Sequence, residues 1–195
     1  IKELKSEIGF DTEVQIFDPK TKESEAKRLA YANHFWETRK RKGITLLDAE
    51  KWMRERNYFG LMMVNTGEAD AMVTGYSRSY PTTIKPVMQL IDKAPGVSKI
   101  ATTNMMMTAR GPIFLSDTAI NPNPSAEELA RIALMTAKTV KMFGMEPVIA
   151  MVSYSNFGSS HNEGPSKVSQ AVAYLHENFP DLIVDGEIQT DFALN

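Results

Sequence analysis

The sequence predicts an α/β protein with a mainly parallel sheet, because strand-like and helix-like segments alternate along its second half. Val148–Val152 is a short apolar run of the kind found in buried strands. A polar loop follows over residues 153–164, then a helical pattern over residues 165–179 and a second strand over residues 182–185. This order is typical of two parallel strands joined by a crossover helix.

Helical spacing predicts two helices in the first 57 residues. Residues 23–42 contain neither Pro nor Gly, and Gly43 follows as a C-cap. Residues 48–57 form the second predicted helix, whereas residues 14–17 alternate like a short strand. The basic residues 39–42 suit the negative end of a helix dipole, and an anion or partner patch is the alternative interpretation.

Beyond residue 57 the sequence becomes apolar. Phe59–Val64 predicts a strand buried on both faces, and Pro86–Ile91 predicts a helix. Residues 105–107 and 113–115 predict a hairpin that turns at residues 109–111. A longer helix is predicted from an N-cap at Ser125 to residue 143, since Glu128 stands three residues later as in a capping box.

Composition excludes several classes of function. The chain has 195 residues, no Cys and a net charge of −2, which argues against a nucleic-acid partner held by bulk charge. Without Cys there is no disulfide, thiolate metal site or Cys nucleophile, which fits the reducing cytoplasm. No apolar stretch approaches the roughly 18 residues of a membrane span, so we expect no membrane partner. The chain begins at Ile1, so we expect a piece of a longer protein.

Two polar loops are candidate binding sites, because ligands of open α/β sheets lie at the carboxyl ends of strands. The first spans residues 153–160 and offers hydroxyls, an amide side chain and a glycine that frees backbone amides for an anion. Its candidate residues are Ser153, Ser155, Asn156, Gly158, Ser159 and Ser160. A solvated loop rich in Ser and Gly is the alternative.

The second loop spans residues 74–86 and contributes Arg78, Ser79 and Lys85. A polar loop that caps a helix is the alternative interpretation here. Two such loops in one chain favour an anion-binding cleft. We predict no metal site, since the three histidines lack metal-ligand spacing, and we assign no catalytic residue.

Several segments carry a resemblance to a known family. They are residues 67–75, 85–89, 95–96, 119–122, 143–147 and 180–189. From about residue 25 onward the chain resembles the phosphate acetyl/butyryl transferase family. Residues 121–130 and 155–160 are most similar to one subgroup, the phosphotransacetylase-like C-terminal domain of bacterial NADP-dependent malic enzymes.

The resemblance implies a two-lobed, three-layer α/β/α sandwich like that of isocitrate and isopropylmalate dehydrogenases, with a cleft between the lobes. On this pattern residues 1–80 belong to a first, incomplete lobe and residues 81–188 to a second lobe. Residues 189–195 then return to the first lobe.

The resemblance also implies a regulatory and oligomerisation domain that forms a homo-oligomer. Its effector would be an acyl-CoA, namely acetyl-CoA. Malate would be converted to pyruvate in a separate N-terminal part that binds NADP and Mg²⁺ or Mn²⁺. The alternatives are an active phosphate acetyltransferase and a pure oligomerisation domain. Active family members usually carry Arg where this chain has Lys85. They carry a residue with a small hydroxyl side chain where this chain has Tyr80. Lys lacks the planar fork that grips phosphate, which favours the regulatory interpretation.

Overall fold

In the part of the chain that the structure describes, helices form the first half and both sheets lie in the second half. The computed structural model describes residues 2–10 and 12–194. The chain divides into two units, Ile1–Asp92 and Lys93–Asn195. The lobe limits implied by the resemblance, residues 1–80, 81–188 and 189–195, stay a prediction. No helix in the described part of the chain is long and apolar enough to cross a bilayer.

The described residues of the first unit form five α-helices. They are α1 (Lys2–Glu7), α2 (Glu25–Arg39), α3 (Leu46–Trp52), α4 (Arg56–Asn65) and α5 (Tyr80–Leu90). Its core contains an aromatic cluster in which the Phe35 ring lies 6.0 Å from the rings of both Trp52 and Tyr58. The predicted long first helix is confirmed as α2, and it ends through a 3-10 turn at Gly43, whose φ of 82° suits a residue without a side chain.

The strand predicted at Phe59–Val64 is wrong, because this segment lies in helix α4. Phe59, Leu61 and Met62 are buried in the core that α4 shares with α2, α3 and α5. A helix surrounded by other helices is apolar around most of its circumference, so a short apolar run does not distinguish it from a buried strand. The helix predicted over residues 48–57 is likewise interrupted, since α3 ends at Trp52 and α4 begins at Arg56.

Two further predictions about the first unit need correction. Residues 14–17 form no strand, and Val14, Ile16 and Phe17 are exposed. In the described residues of this unit there is no strand with which they could pair. The helix predicted at residue 86 begins six residues earlier, at Tyr80, because Pro81 is accommodated in the first turn, where its missing N–H is not needed.

The second unit alternates strands and helices. Its elements are β1 (Thr103–Thr108), β2 (Gly111–Ser116), α6 (Ala126–Met142), β3 (Val148–Val152), α7 (Glu163–Asn178), β4 (Ile183–Ile188) and α8 (Thr190–Ala193). The predicted hairpin is confirmed, with Met105 opposite Phe114 in an antiparallel pair. Strands β3 and β4 pair in parallel, with Val148 opposite Ile183. The α/β class is confirmed, although within the described residues each sheet has only two strands.

Helices α6 and α7 cover the parallel pair with small and branched side chains. Ala130, Ala171, Leu175 and Val184 are buried at this interface. The predicted capping box is confirmed at the start of α6. The Ser125 hydroxyl accepts a hydrogen bond from the Glu128 amide at 3.2 Å, and the Glu128 carboxylate accepts one from the Ser125 amide at 3.0 Å.

The Asp117 carboxylate fixes the chain at the end of the hairpin. It accepts hydrogen bonds from the amide and hydroxyl of Thr102 at 2.9 and 2.6 Å. On the other side it accepts one from the amide of Asn121 at 2.6 Å and one from the Asn121 side chain at 2.7 Å. Partial burial raises the pKa of Asp117, but the hydrogen bonds from Thr102 and Asn121 outweigh it and hold the pKa well below its usual range.

We predict that Asp117→Ala destabilises the second unit by about 2–3 kcal/mol, because several donors lose a charged acceptor at once. The measurement is the urea unfolding of the full-length protein, monitored by circular dichroism. Asp181→Ala is the control, since Asp181 is exposed in the turn before β4.

The difference between the wild type and Asp117→Ala depends on pH. A depressed folded-state pKa stabilises the fold fully above the usual Asp pKa of about 4, and this contribution is lost as the pH falls further. The free energies of unfolding of the wild type and Asp117→Ala should therefore approach each other as the pH falls below about 4. A difference that stays constant down to about pH 2 would contradict the assignment.

Candidate anion-binding site

The serine loop, defined here as residues 153–160, leaves the carboxyl end of β3 and leads toward α7. Because β3 and β4 are parallel, the end of β4 lies beside the start of this loop. The Ser153 amide donates to the carbonyl of Ile188 at 2.9 Å. The loop therefore stands at the edge of the sheet where α/β proteins bind their ligands.

An irregularity in the strand register brings Glu187 toward the loop. Met151 pairs with Gly186 and Val152 pairs with Ile188, so the pairing skips Glu187. Gly186 has a φ of 141°, and a Cβ atom at this position would lie 2.5 Å from the carbonyl oxygen of Met151. Only glycine fits here, and a bulge of this kind redirects the side chain that follows it.

The Glu187 carboxylate is the anion that the serine loop surrounds. Its side chain is buried, with 2% of the residue exposed. Oε1 accepts hydrogen bonds from the Gly158 amide at 2.6 Å and the Ser155 hydroxyl at 3.0 Å. The backbone carbonyl of Glu187 also accepts from the Phe157 amide at 2.9 Å. The hydrogen bond from Gly158, with further hydrogen bonds, holds the pKa of Glu187 below its usual range.

The loop hydroxyls also bond to the loop itself. Ser155 is fully buried, and its Oγ lies 3.0 Å from the Oγ of Ser159 and accepts from the Ser160 amide at 3.0 Å. The Ser159 Oγ accepts from the amide of Asn156 at 3.0 Å. Ser155 is thus the centre of the loop rather than part of its outer surface.

Gln189 holds the other side of the loop. The Asn156 side-chain oxygen accepts from the Gln189 amide at 2.7 Å, and the Gln189 side chain donates to the Tyr154 carbonyl at 2.7 Å. The sequence places Glu187 near a predicted strand end, but it connects neither Glu187 nor Gln189 with the serine loop. The signal available for both was the segment 180–189, which carries part of the family resemblance and ends with these residues.

The remaining candidates lie in the first unit. Ser79 is the N-cap of α5, and its Oγ lies 2.8 Å from the Oγ1 of Thr82. The Arg78 guanidinium lies 3.6 Å from the Glu55 carboxylate, and about half of each side chain is exposed. The Lys85 ammonium lies 5.5 Å from the centre of the Trp52 ring, within the range of a cation–π contact.

The structure therefore forms two polar clusters, one in each unit. Residues 153–160 form the first with Glu187, and residues 78, 79 and 85 lie in the second. That both clusters line one cleft stays a prediction. Within the described residues, no group of three or more His, Asp or Glu is arranged to hold a metal ion.

Comparison with known proteins decides the family. The sequence matches the family described as Phosphate acetyl/butaryl transferase over residues 1–195. The chain belongs to this family. Its relatives include a phosphate acetyltransferase of Clostridium acetobutylicum, 38% identical over 100% of this chain and 60% of that protein. They also include an NADP-dependent malic enzyme of Haemophilus influenzae, 39% identical over 83% of this chain and 22% of that protein.

A solved member of the family has a similar fold. The phosphotransacetylase from Streptococcus pyogenes is 36% identical, with a TM-score of 0.76 over 97% of this chain and 57% of that one. The resemblance stated from the motifs is thereby confirmed. The chain spans 60% or less of the length of these relatives.

We predict that Glu187→Ala loosens the serine loop, because the Gly158 amide and Ser155 hydroxyl lose their acceptor. Hydrogen exchange of the Gly158 and Ser160 amides should accelerate by roughly 5- to 30-fold, which corresponds to about 1–2 kcal/mol. Mass spectrometry of the full-length protein measures this exchange. Glu163→Ala is the control, since Glu163 is exposed at the start of α7. Equal exchange in the two variants would show that Glu187 does not hold the loop.

Proposed function

We propose that this chain is the phosphotransacetylase-like regulatory and oligomerisation domain of an NADP-dependent malic enzyme and that it binds acetyl-CoA. The state of the serine loop carries this proposal. Its central hydroxyl, Ser155, is buried and bonded to Glu187, whereas Arg78 and Lys85 present exposed positive charge. Such an arrangement suits the binding of an anion, and it leaves the central serine bonded within the protein rather than free to react.

The oxidation of malate to pyruvate then belongs to another part of the full protein, which would bind NADP and Mg²⁺ or Mn²⁺. The share of the malic enzyme relative that this chain matches, 22% of its length, supports a domain of this size within a longer chain. We also propose the two-lobed, three-layer sandwich for the complete domain. The TM-score of 0.76 to a phosphotransacetylase supports a common fold.

Acetyl-CoA binding would rest mainly on charge. The phosphates of CoA are anions, and Arg78 and Lys85 would neutralise them through charge-assisted hydrogen bonds. The serine loop would offer an anion the side-chain hydroxyls of Ser153 and Ser160, whereas its Gly158 amide already donates to Glu187. Lys85 acts as a point charge and not as a two-pronged grip, which suits an effector that must also dissociate.

An active phosphate acetyltransferase is the second candidate. It is favoured by relatives that bear this name, one of them 38% identical over the whole of this chain. Two assays on the full-length protein separate the candidates. A malic enzyme oxidises malate with NADP, whereas a transferase forms acetyl phosphate from acetyl-CoA and phosphate. Transfer activity without malate oxidation would replace the first proposal by the second.

We predict that Lys85→Ala weakens acetyl-CoA binding by roughly 5- to 30-fold, because an exposed charge on a phosphate contributes about 1–2 kcal/mol. Lys85→Arg should retain or strengthen binding, since the guanidinium offers two parallel donors. The measurement is the malate oxidation rate of the full-length protein titrated with acetyl-CoA. The rate without effector should change little in either variant.

Identical titration curves for the wild type and both variants would remove Lys85 from the site. Absence of any response in the wild type would remove the regulatory role and leave the assembly role. Calorimetric titration with acetyl-CoA provides the affinity independently of the activity.

We predict that the full-length protein self-associates. The strand β1 exposes consecutive methionines, with Met107 74% exposed, and Val148 on β3 is 75% exposed. Apolar side chains in such number on strands are typical of surfaces covered by protein, so any part of this surface that the rest of the full-length chain leaves exposed would bind a second copy. Light scattering at increasing concentration measures the mass. A monomeric mass at the highest soluble concentration would contradict the proposed role in assembly.

A further inference from the structure

Three consecutive residues at the start of α4 contact the segment that leads into α5. The Glu55 carboxylate lies 3.6 Å from the Arg78 guanidinium. The Arg56 guanidinium donates to the Ser77 hydroxyl at 3.5 Å. The buried side-chain oxygen of Asn57 accepts from the Thr74 hydroxyl at 2.8 Å. Residues 74–78 are thus held by the first turn of α4, although Thr74 lies 17 positions after Asn57 in the sequence.

These contacts place a further cation, Arg56, beside Arg78. Arg56 is exposed, and Arg78 is held one residue from Ser77, to which Arg56 donates. Lys85 contacts Trp52, which lies three residues before Glu55. Within the described residues, Arg78 is the one member of this group with a carboxylate inside 4.0 Å, and that carboxylate is Glu55. Arg56, Arg78, Lys85 and Glu55 together carry a net charge of +2.

We infer that Arg56 is a further phosphate-binding residue of this site and that Glu55 competes with the ligand for Arg78. The proposal rests on the proposed function in one respect, that the ligand is CoA, and the chemical group recognised is its diphosphate. A guanidinium has five N–H donors, so the bond from Arg56 to Ser77 leaves donors for phosphate. The Glu55 carboxylate and a phosphate oxygen compete for the same N–H donors of the Arg78 guanidinium, so the two contacts weaken each other.

Glu55 would therefore lower the affinity of the site without contacting the ligand. When the diphosphate binds Arg78, the ion pair between Arg78 and Glu55 breaks. Water can then solvate the Glu55 carboxylate, because the pair is exposed. An exposed ion pair is weak, so this exchange reduces the affinity by a small factor and does not prevent binding. Glu55 acts on the ligand through Arg78, and Arg56 acts by direct contact.

Calorimetric titration of the full-length protein with CoA and, separately, with pyrophosphate tests the inference at about 0.15 M salt, where distant charges are screened. Arg56→Gln should weaken the binding of both ligands by about 3- to 10-fold. Glu55→Gln should strengthen it by about 2- to 5-fold. In an Arg78→Gln background, Glu55→Gln should have no further effect, because its competition acts through Arg78.

Two controls separate contact from bulk charge. Arg54→Gln removes the same charge two residues from Arg56, and Glu37→Gln removes a carboxylate that pairs with Lys40 at the end of α2. Both should leave the affinities unchanged. If Arg54→Gln weakens binding as much as Arg56→Gln, the direct contact is overturned. If Glu55→Gln has no effect, or acts equally without Arg78, the competition is overturned.

The two probes also distinguish this inference from the proposed function. Pyrophosphate binding that responds to these variants, without any CoA binding, would preserve the inference and contradict the proposed ligand. CoA binding that is the same in all variants would preserve the proposed function and overturn the inference. If the wild type binds neither probe, both are wrong.

Discussion

The hydrogen bonds between the Glu187 carboxylate and the serine loop determine the shape of the site in the second unit. A buried carboxylate is costly unless donors compensate for the water that it loses. Here the Gly158 amide and the Ser155 hydroxyl provide that compensation, so the loop and the end of β4 form together. The arrangement depends in turn on Gly186, since any side chain there would collide with the backbone of Met151.

The same physical solution occurs at the end of the hairpin. Asp117 follows β2, and Glu187 lies at the end of β4. Each carboxylate accepts a backbone N–H from a neighbouring turn, Asp117 from Asn121 and Glu187 from Gly158. Two-stranded sheets are marginal on their own, because they leave two edges unpaired and bury little apolar surface. In the second unit, carboxylates that fix the connections supplement the packing of α6 and α7 on β3 and β4. The carboxylates and the helix packing together therefore hold a loop in a defined conformation at the end of a small sheet.

Local signals predicted the parts of this fold that depend on local physics. The capping box at Ser125 and Glu128, the hairpin around Ala109 and the strand β3 were readable because each is specified by neighbouring residues. The run Phe59–Val64 was not, since its helical state depends on burial among other helices. The serine loop was located correctly after its strand, but its partner Glu187 lies 29 residues from Gly158. No periodicity connects two such residues, so the internal bonding of the loop appears only in the structure.

The two clusters differ in how many of their polar groups remain available to an anion. The donors of the serine loop are largely bonded within the protein, so a ligand gains little from them beyond a fitted surface. In the first unit the cations are exposed, at Arg56, Arg78 and Lys85. In the described part of the chain, one carboxylate, that of Glu55, lies within 4.0 Å of them. The attraction of these cations for an anion is therefore screened by salt. Exposed cations of this kind favour moderate affinity and rapid exchange of a bound anion, because each exposed ion pair is weak.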